Sequence, residues 1–292
     1  MNTFCSLFGY TKQAYYKCSV RSRSQLVKEQ QAKEAVLLVR RQMPRIGTRK
    51  LHFMLKEQFK EQQIKVGRDK LFTLLRNRGL LIIKRKKYTV TTNSKHWMHK
   101  YPNLIKDLLI HRPEQLWVAD ITYLDTHDGN NYLHLITDAY SKQIMGYELG
   151  KDMEATSTLK ALQMAISNRK YSSQPLIHHS DRGLQYCSKL YVNHLLGNNI
   201  QISMTENGDP YENAVAERMN GILKDEFGLG EKMNDLQEAI HQTKQSIQTY
   251  NQLRPHLSCS YLTPLQMHQQ QIISIKTWKK KTSKVEATFE VH

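Results

Sequence analysis

The period of the apolar residues changes once along this 292-residue chain, near residue 115, and that change limits the fold more than any other feature. Upstream, the spacing is helical and the helices read as short. Thr11 follows Gly9 as a candidate N-cap, and Tyr15 and Tyr16 follow it, which suggests a small helix-turn-helix fragment. An apolar run from Ala35 to Val39 ends before Pro44. Thr48 is the candidate cap of the next pattern, with Leu51, Met54 and Leu55 on one face. A third pattern turns Leu71, Leu74 and Leu75 inward, leaves Arg68, Lys70, Arg76 and Arg78 outside, and stops at Gly79. The basic, β-branched stretch "LLIIKRKKYTVTT" then reads as a wing. Downstream, "EQLWVADITYLD", "NNYLHLITDAY" and "KQIMGYELG" are β-like runs broken by Asp, Gly and Asn, a meander. After them, the helix "ATSTLKALQMAISNRK", the strand "PLIHHSD", the helix "SKLYVNHLLGNN", the strand "IQISMT" and the helix "YENAVAERMNGILKDEF" alternate.

Three antiparallel strands followed by alternating helix and strand is the order of the ribonuclease-H-like α/β fold. The predicted layout is a basic, helix-turn-helix-like DNA-binding region over 1–92 and a linker over 93–114 that contains Pro102 and Pro113. A catalytic core with a C-terminal cap follows over 115–270, and a basic tail around Lys279–Lys281 fills 271–292.

Charge divides the chain at the same place. Residues 1–115 hold 26 Lys and Arg against 7 Asp and Glu, while 116–292 hold 17 against 19, so +19 and −2 make up the net +17. An excess of that size without matching acids predicts a polyanionic partner, because each phosphate contact releases counterions. No apolar run approaches the ~18 residues of a membrane span, and "MNTFCSLFGYTKQ" lacks the apolar core of an export signal. Cys5, Cys18, Cys187 and Cys259 are scattered with no Cys-x-x-Cys pair, which excludes a zinc ribbon or disulfide framework and predicts a cytoplasmic protein, nucleoid-associated when on DNA.

Three acids in the second half stand out. Asp120 lies mid-strand in "WVADITYL", where a carboxylate is disfavoured unless something binds it. Asp181 ends the fourth strand, and Glu217 lies in the last of the alternating helices. In a ribonuclease-H-like sheet the first and fourth strands are neighbours, so their acids converge and the helix crosses the same edge. Oxygen-only donors suit Mg²⁺ or Mn²⁺, and a pair of such ions stabilises the attacking and leaving oxygens of an in-line phosphoryl transfer. Alone, each acid has a plain reading as a satisfied strand acceptor or a solvated surface group. Separations of 60 and 35 residues favour the joint reading.

These motifs resemble the OrfB catalytic protein of IS-three-family insertion sequences, whose core is similar to that of retroviral integrases with its Asp-Asp-35-Glu spacing. The resemblance rests on Trp117 to Tyr123, His179-Ser180-Asp181-Arg182-Gly183 with Gln185-Tyr186, Asn213-Ala214 and Ala216-Glu217. It continues through Leu223-Lys224-x-Glu226, Tyr250-Asn251-x-x-Arg254-x-His256 and Thr263-Pro264, and so covers essentially the whole chain. It implies an insertion-sequence DNA transposase of the DDE type, with Asp120, Asp181 and Glu217 as catalytic metal ligands, Mg²⁺ or Mn²⁺ as cofactor, and 3′-end cleavage followed by strand transfer. It also implies double-stranded DNA partners (terminal inverted repeats and target), an OrfA partner or fusion, and a homo-oligomer on DNA. Departures at Glu212, Thr205–Gly208 and Arg218 touch no ligand and bear on substrate contacts instead. Arg49, Lys50, Arg68, Lys70 and Lys224 are the candidate DNA contacts, each weighed against a solvated face. The competing classes are a metal-dependent ribonuclease-H-like nuclease and a non-catalytic DNA-binding protein.

Overall fold

The computed structural model describes Leu7, Gly9 and residues 11–83, 97–206 and 214–270. The expected short helices at the N-terminus are replaced by one long one, α1 (Lys12–Gln42), because no Gly or Pro interrupts those 31 residues. Thr11 caps it as expected, its hydroxyl accepting from Ala14 N at 3.1 Å. Residues 12–27 of α1 are exposed, and burial begins only at Ala32, Ala35 and Val36. α2 (Thr48–Glu61) is capped by Gly47 rather than Thr48, which is the buried first helical residue. α3 (Arg68–Asn77) buries Leu71, Leu74 and Leu75 and ends before Gly79, whose φ of +65° suits a residue without Cβ. Of the anticipated wing, residues 80–83 form no strand and 84–92 lie outside the described residues.

Past residue 115 the alternation becomes one five-stranded sheet. β1 (Leu116–Thr126), β2 (Gly129–Asp138) and β3 (Ile144–Gly150) form the antiparallel meander, and β4 (Leu176–Ser180) and β5 (Ile200–Met204) run parallel to β1. The order across the sheet is β3-β2-β1-β4-β5, the mixed sheet of ribonuclease-H-like folds. α4 (Ala155–Ser167) crosses from β3 to β4, α5 (Leu184–Cys187) and α6 (Lys189–Gly197) cross from β4 to β5, and α7 (Ala214–Glu226) packs against β1 and β2. Gly146 permits the first crossing, since a Cβ there would lie 2.1 Å from Ala161 O of α4.

α8 (Leu236–Leu253), a short 3₁₀ turn (Leu257–Cys259) and α9 (Pro264–His268) complete the described chain. Asn251 reaches from α8 to β3, accepting from Ile144 N and donating to Ile144 O, each at 3.0 Å. One buried cluster runs without a break from Leu51 and Leu71 of the basic helices to Met219 and Leu223 of α7, Phe227 just after it, and Tyr250 of α8. The N-terminal helices therefore pack on the same helix that carries Glu217 in its first turn.

Candidate active site

Asp120 and Asp181 meet through strand register. β1 pairs with β4 as Leu116↔Ile177, Trp117↔His178 and Val118↔His179, and the same register carried two residues further sets Asp120 level with Asp181. Gly183 N donates to Asp181 Oδ1 at 3.0 Å, so this carboxylate closes the turn after β4 and at the same time has its orientation fixed. Asp120 is half-buried. Asn220 of α7 donates to Asp120 Oδ2 at 2.7 Å. Burial first, then the Asp181 charge and to a lesser degree that of Glu217, raise the Asp120 carboxyl to about 7, against the opposing pull of the Ile121 amide and Asn220.

Glu217 lies on the exposed first turn of α7, directly after residues 207–213, which lie outside the described set. Its charge is felt at Asp120. Among the described residues, no three His, Cys, Asp or Glu side chains close to within reach of one ion. The donor chemistry nonetheless fits a hard cation. The donors are all oxygens, a half-buried carboxylate has a like-charged neighbour, and the buried Asn220 Oδ1 beside it has no hydrogen-bond partner among the described residues. The sequence reading passed over Asn220. Its position three residues after Glu217, on the same helical face, was the available signal.

His179 is buried in β4 with Nδ1 2.8 Å from Ser203 Oγ, and Trp117 and Tyr186 are buried in the core. The candidate DNA contacts divide. Arg49, Arg68 and Lys70 are exposed. Lys50 departs from the solvent-facing placement expected, because it is partly buried and its Nζ lies 2.7 Å from Glu226 Oε1. Burial, together with the nearby Arg254 charge, lowers this ammonium to about 8 despite that carboxylate. Lys224 Nζ sits 4.0 Å from the centroid of the Tyr123 ring, close enough to Asp120 for its charge to act on the ammonium.

The motif residues Glu226, Arg254 and His256 turn out to be one internal network. Arg254 donates to both Glu226 oxygens, Nε at 2.9 Å and Nη2 at 2.8 Å, and its Nη1 donates to His256 Nε2 at 2.6 Å. Burial and the neighbouring cations push His256 well down, so it stands there as a neutral acceptor. Arg45 N donates to Glu226 O at 3.0 Å, so the loop before α2 is also tied to the C-terminal end of α7.

With this geometry in place, likeness to known proteins becomes informative. Residues 110–210 match the integrase core domain family, and 198–264 match a second integrase core domain family. The chain is 34% identical over 264 residues to an insertion element IS600 uncharacterized 31 kDa protein of Shigella sonnei, covering 89% of this chain and 95% of that one. It is 34% identical over 194 residues to transposase InsF of insertion sequence IS3A from Escherichia coli K12, covering 66% and 67%. The chain belongs to the IS3 family of insertion-sequence transposases. A further transposase, that of IS629 from Shigella sonnei, is 35% identical over 167 residues, 57% of this chain and 56% of that one. Among solved structures, the HTLV-2 integrase catalytic core domain in complex with magnesium is 22% identical with a TM-score of 0.43, over 54% of this transposase and 97% of that chain. No described helix of the transposase is long and apolar enough to cross a membrane.

Proposed function

We propose that Asp120, Asp181 and Glu217 are the catalytic carboxylates of a DDE-type polynucleotidyl transfer and hold divalent cations, Mg²⁺ or Mn²⁺, as a pair. One observation supports this above the others: the β1–β4 register runs Asp120 alongside Asp181, and the Glu217 charge adds to theirs at Asp120. Bound there, such cations stabilise the attacking and leaving oxygens of an in-line displacement at phosphorus. The chain's own residues prepare the site. Asn220 holds Asp120 through one oxygen, and the Gly183 amide holds Asp181.

Two transfers then use the same carboxylates. In the first, water attacks the phosphorus at the element boundary, the P–O3′ bond breaks, and a 3′-OH is left on the DNA end. In the second, that 3′-OH attacks a phosphodiester of the receiving strand, and its oxygen replaces the leaving 3′-oxygen. The substrate is double-stranded DNA, the terminal inverted repeats first and a target later, met by the basic helical region of residues 1–92. Specific recognition of the repeats falls to an OrfA partner or fusion, and two ends are brought together by a homo-oligomer. The place of action is the cytoplasm, at the nucleoid.

Products separate this reading from a nuclease on the same fold. With Mg²⁺, fused OrfA and a labelled DNA end, we expect covalently joined strands derived from the 3′-OH donor. Free ends alone, with no joined species, reject the transposase chemistry in favour of hydrolysis.

A further inference from the structure

Where α2 passes the C-terminal cap, Arg49, His52, Phe53, Lys56, Arg68 and Tyr261 line an open cleft of about 460 Å³. Its two walls come from opposite ends of the chain. On α2, Arg49, Phe53 and Lys56 follow at helical spacing and are exposed. Arg68 enters from the start of α3, with Nε 2.8 Å from Asp69 Oδ1, an exposed pair of little strength. Among the described residues, Arg49 and Lys56 make no ion pair. Tyr261 completes the cleft from the cap, its ring stacked on Phe53 with centroids 4.5 Å apart and planes 14° from parallel.

The placement of Tyr261 draws on backbone strain. Ser260 and Tyr261 both have positive φ, 54° and 65°, in consecutive non-glycine residues. The turn is held by Tyr261 N donating to His256 O at 2.7 Å and by Cys259 N to the same oxygen at 3.1 Å. Such strain persists only where surrounding structure enforces it. Here the network of Arg254 and His256 stands directly before the turn.

We propose that this cleft seats the phosphodiester backbone of duplex DNA, with Arg49, Lys56 and Arg68 on the phosphates and the Phe53–Tyr261 pair as an apolar wall for the sugars. The proposal rests on the reading of this transposase as a DNA-joining enzyme and adds a contact surface that neither the helical region nor the cap owns alone. The chemistry selects a phosphate chain rather than a base edge. Three cations line one open cleft, one of them partly satisfied by Asp69, and several positive groups along one surface suit a run of phosphates.

The test uses the full chain and duplexes of two unrelated sequences. Binding is followed by fluorescence anisotropy between 50 and 300 mM salt for wild type, Arg49→Glu with Lys56→Glu, and a control with the same charge change on the catalytic domain, Lys189→Glu with Lys244→Glu. Each lost phosphate contact removes about 0.9 from the slope of log affinity against log salt, so the cleft variant should lose about 1.8. Its affinity at 100 mM salt should fall tenfold or more on both duplexes, while the control falls less than threefold. A cleft variant indistinguishable from the control overturns the proposal, as does wild-type protein that fails to bind duplex, or a loss confined to one sequence. Strand joining by the same proteins, each fused to OrfA and supplied with Mg²⁺, separates the two claims. If wild type joins DNA and the cleft variant binds and joins like the control, the cleft falls and the transposase chemistry stands. If wild type does not join but the binding loss appears, the chemistry falls and the cleft stands. Phe53→Ala, which removes the wall without changing charge, should weaken binding two- to fivefold with the slope retained. Unchanged affinity contradicts the wall.

Discussion

At the scale of single residues, the clearest lesson is that a carboxylate's role follows from what surrounds it. Asp181 closes a turn and also lies level with Asp120, since its Oδ1 takes the Gly183 amide while its strand register sets it beside Asp120. Glu114 and Asp138, both fully buried at the other end of β1, serve a structural purpose instead. They flank His268, with Glu114 Oε1 3.2 Å from Nε2 and Asp138 Oδ1 3.8 Å from Nδ1. Burial pulls the imidazole down, but the carboxylates of Asp138 and Glu114 beside it outweigh it and hold it up at about 9. A group raised from an unfolded value near 6.5 adds stability that is complete below pH 6.5 and is lost as pH rises through 9, here about 3 kcal/mol. Replacing His268 by Gln should therefore lower Tm most at pH 6 and progressively less toward pH 9.5. A Tm gap that is constant over that range contradicts the charged, doubly paired imidazole.

At the scale of elements, the meander, the two parallel strands and α7 were legible because their apolar periods are clean and their ends carry Gly, Asn or Asp. The length of α1 is not legible in the apolar pattern, because its face is weakly patterned between Gly9 and Pro44. The Thr48 cap failed for a related reason, because tertiary packing buries Thr48 and leaves Gly47 at the boundary. Gly146 shows a constraint that sequence pattern alone does not reveal. It looks like a strand-weakening glycine, yet α4 lies so close that a Cβ would meet Ala161 O at 2.1 Å and Ala165 N at 2.6 Å, both backbone atoms. Gly146→Ala should cost about 2–3 kcal/mol, seen as a Tm drop of roughly 4–10 °C. A change under 1 °C would mean that β3 and α4 do not pack this closely.

At the scale of the whole molecule, the basic helices and the catalytic domain share an apolar cluster, and one acid bridges them beside it. Glu226 takes Lys50 from α2 and both arms of Arg254, and the two cations hold its carboxyl down at about 2 against the pull of burial. The sequence showed Glu226, Arg254 and His256 as motif letters, but that they are internal partners depends on folding distances across 28 residues and more. Removing the acid leaves Arg254, 1% exposed, without its carboxylate. Glu226→Ala should then destabilise by about 3–5 kcal/mol. The expected Tm drop is on the order of 10 °C. If Tm stays within 1 °C, the network is not what couples the two parts.

The same positional logic defines the central claim. The β1–β4 register runs Asp120 alongside Asp181, and α7, which packs against β1 and β2, carries Glu217. The most direct measurement is strand transfer with Mg²⁺, fused OrfA and a 3′-OH DNA end, run in parallel on wild type and on Asp120→Asn, Asp181→Asn and Glu217→Gln, with DNA binding and Tm recorded for each. The account predicts joining reduced at least 1,000-fold in all three variants while DNA binding stays within a few-fold of wild type. Joining at wild-type rate by any one of the three, in a protein that still binds DNA, would contradict it.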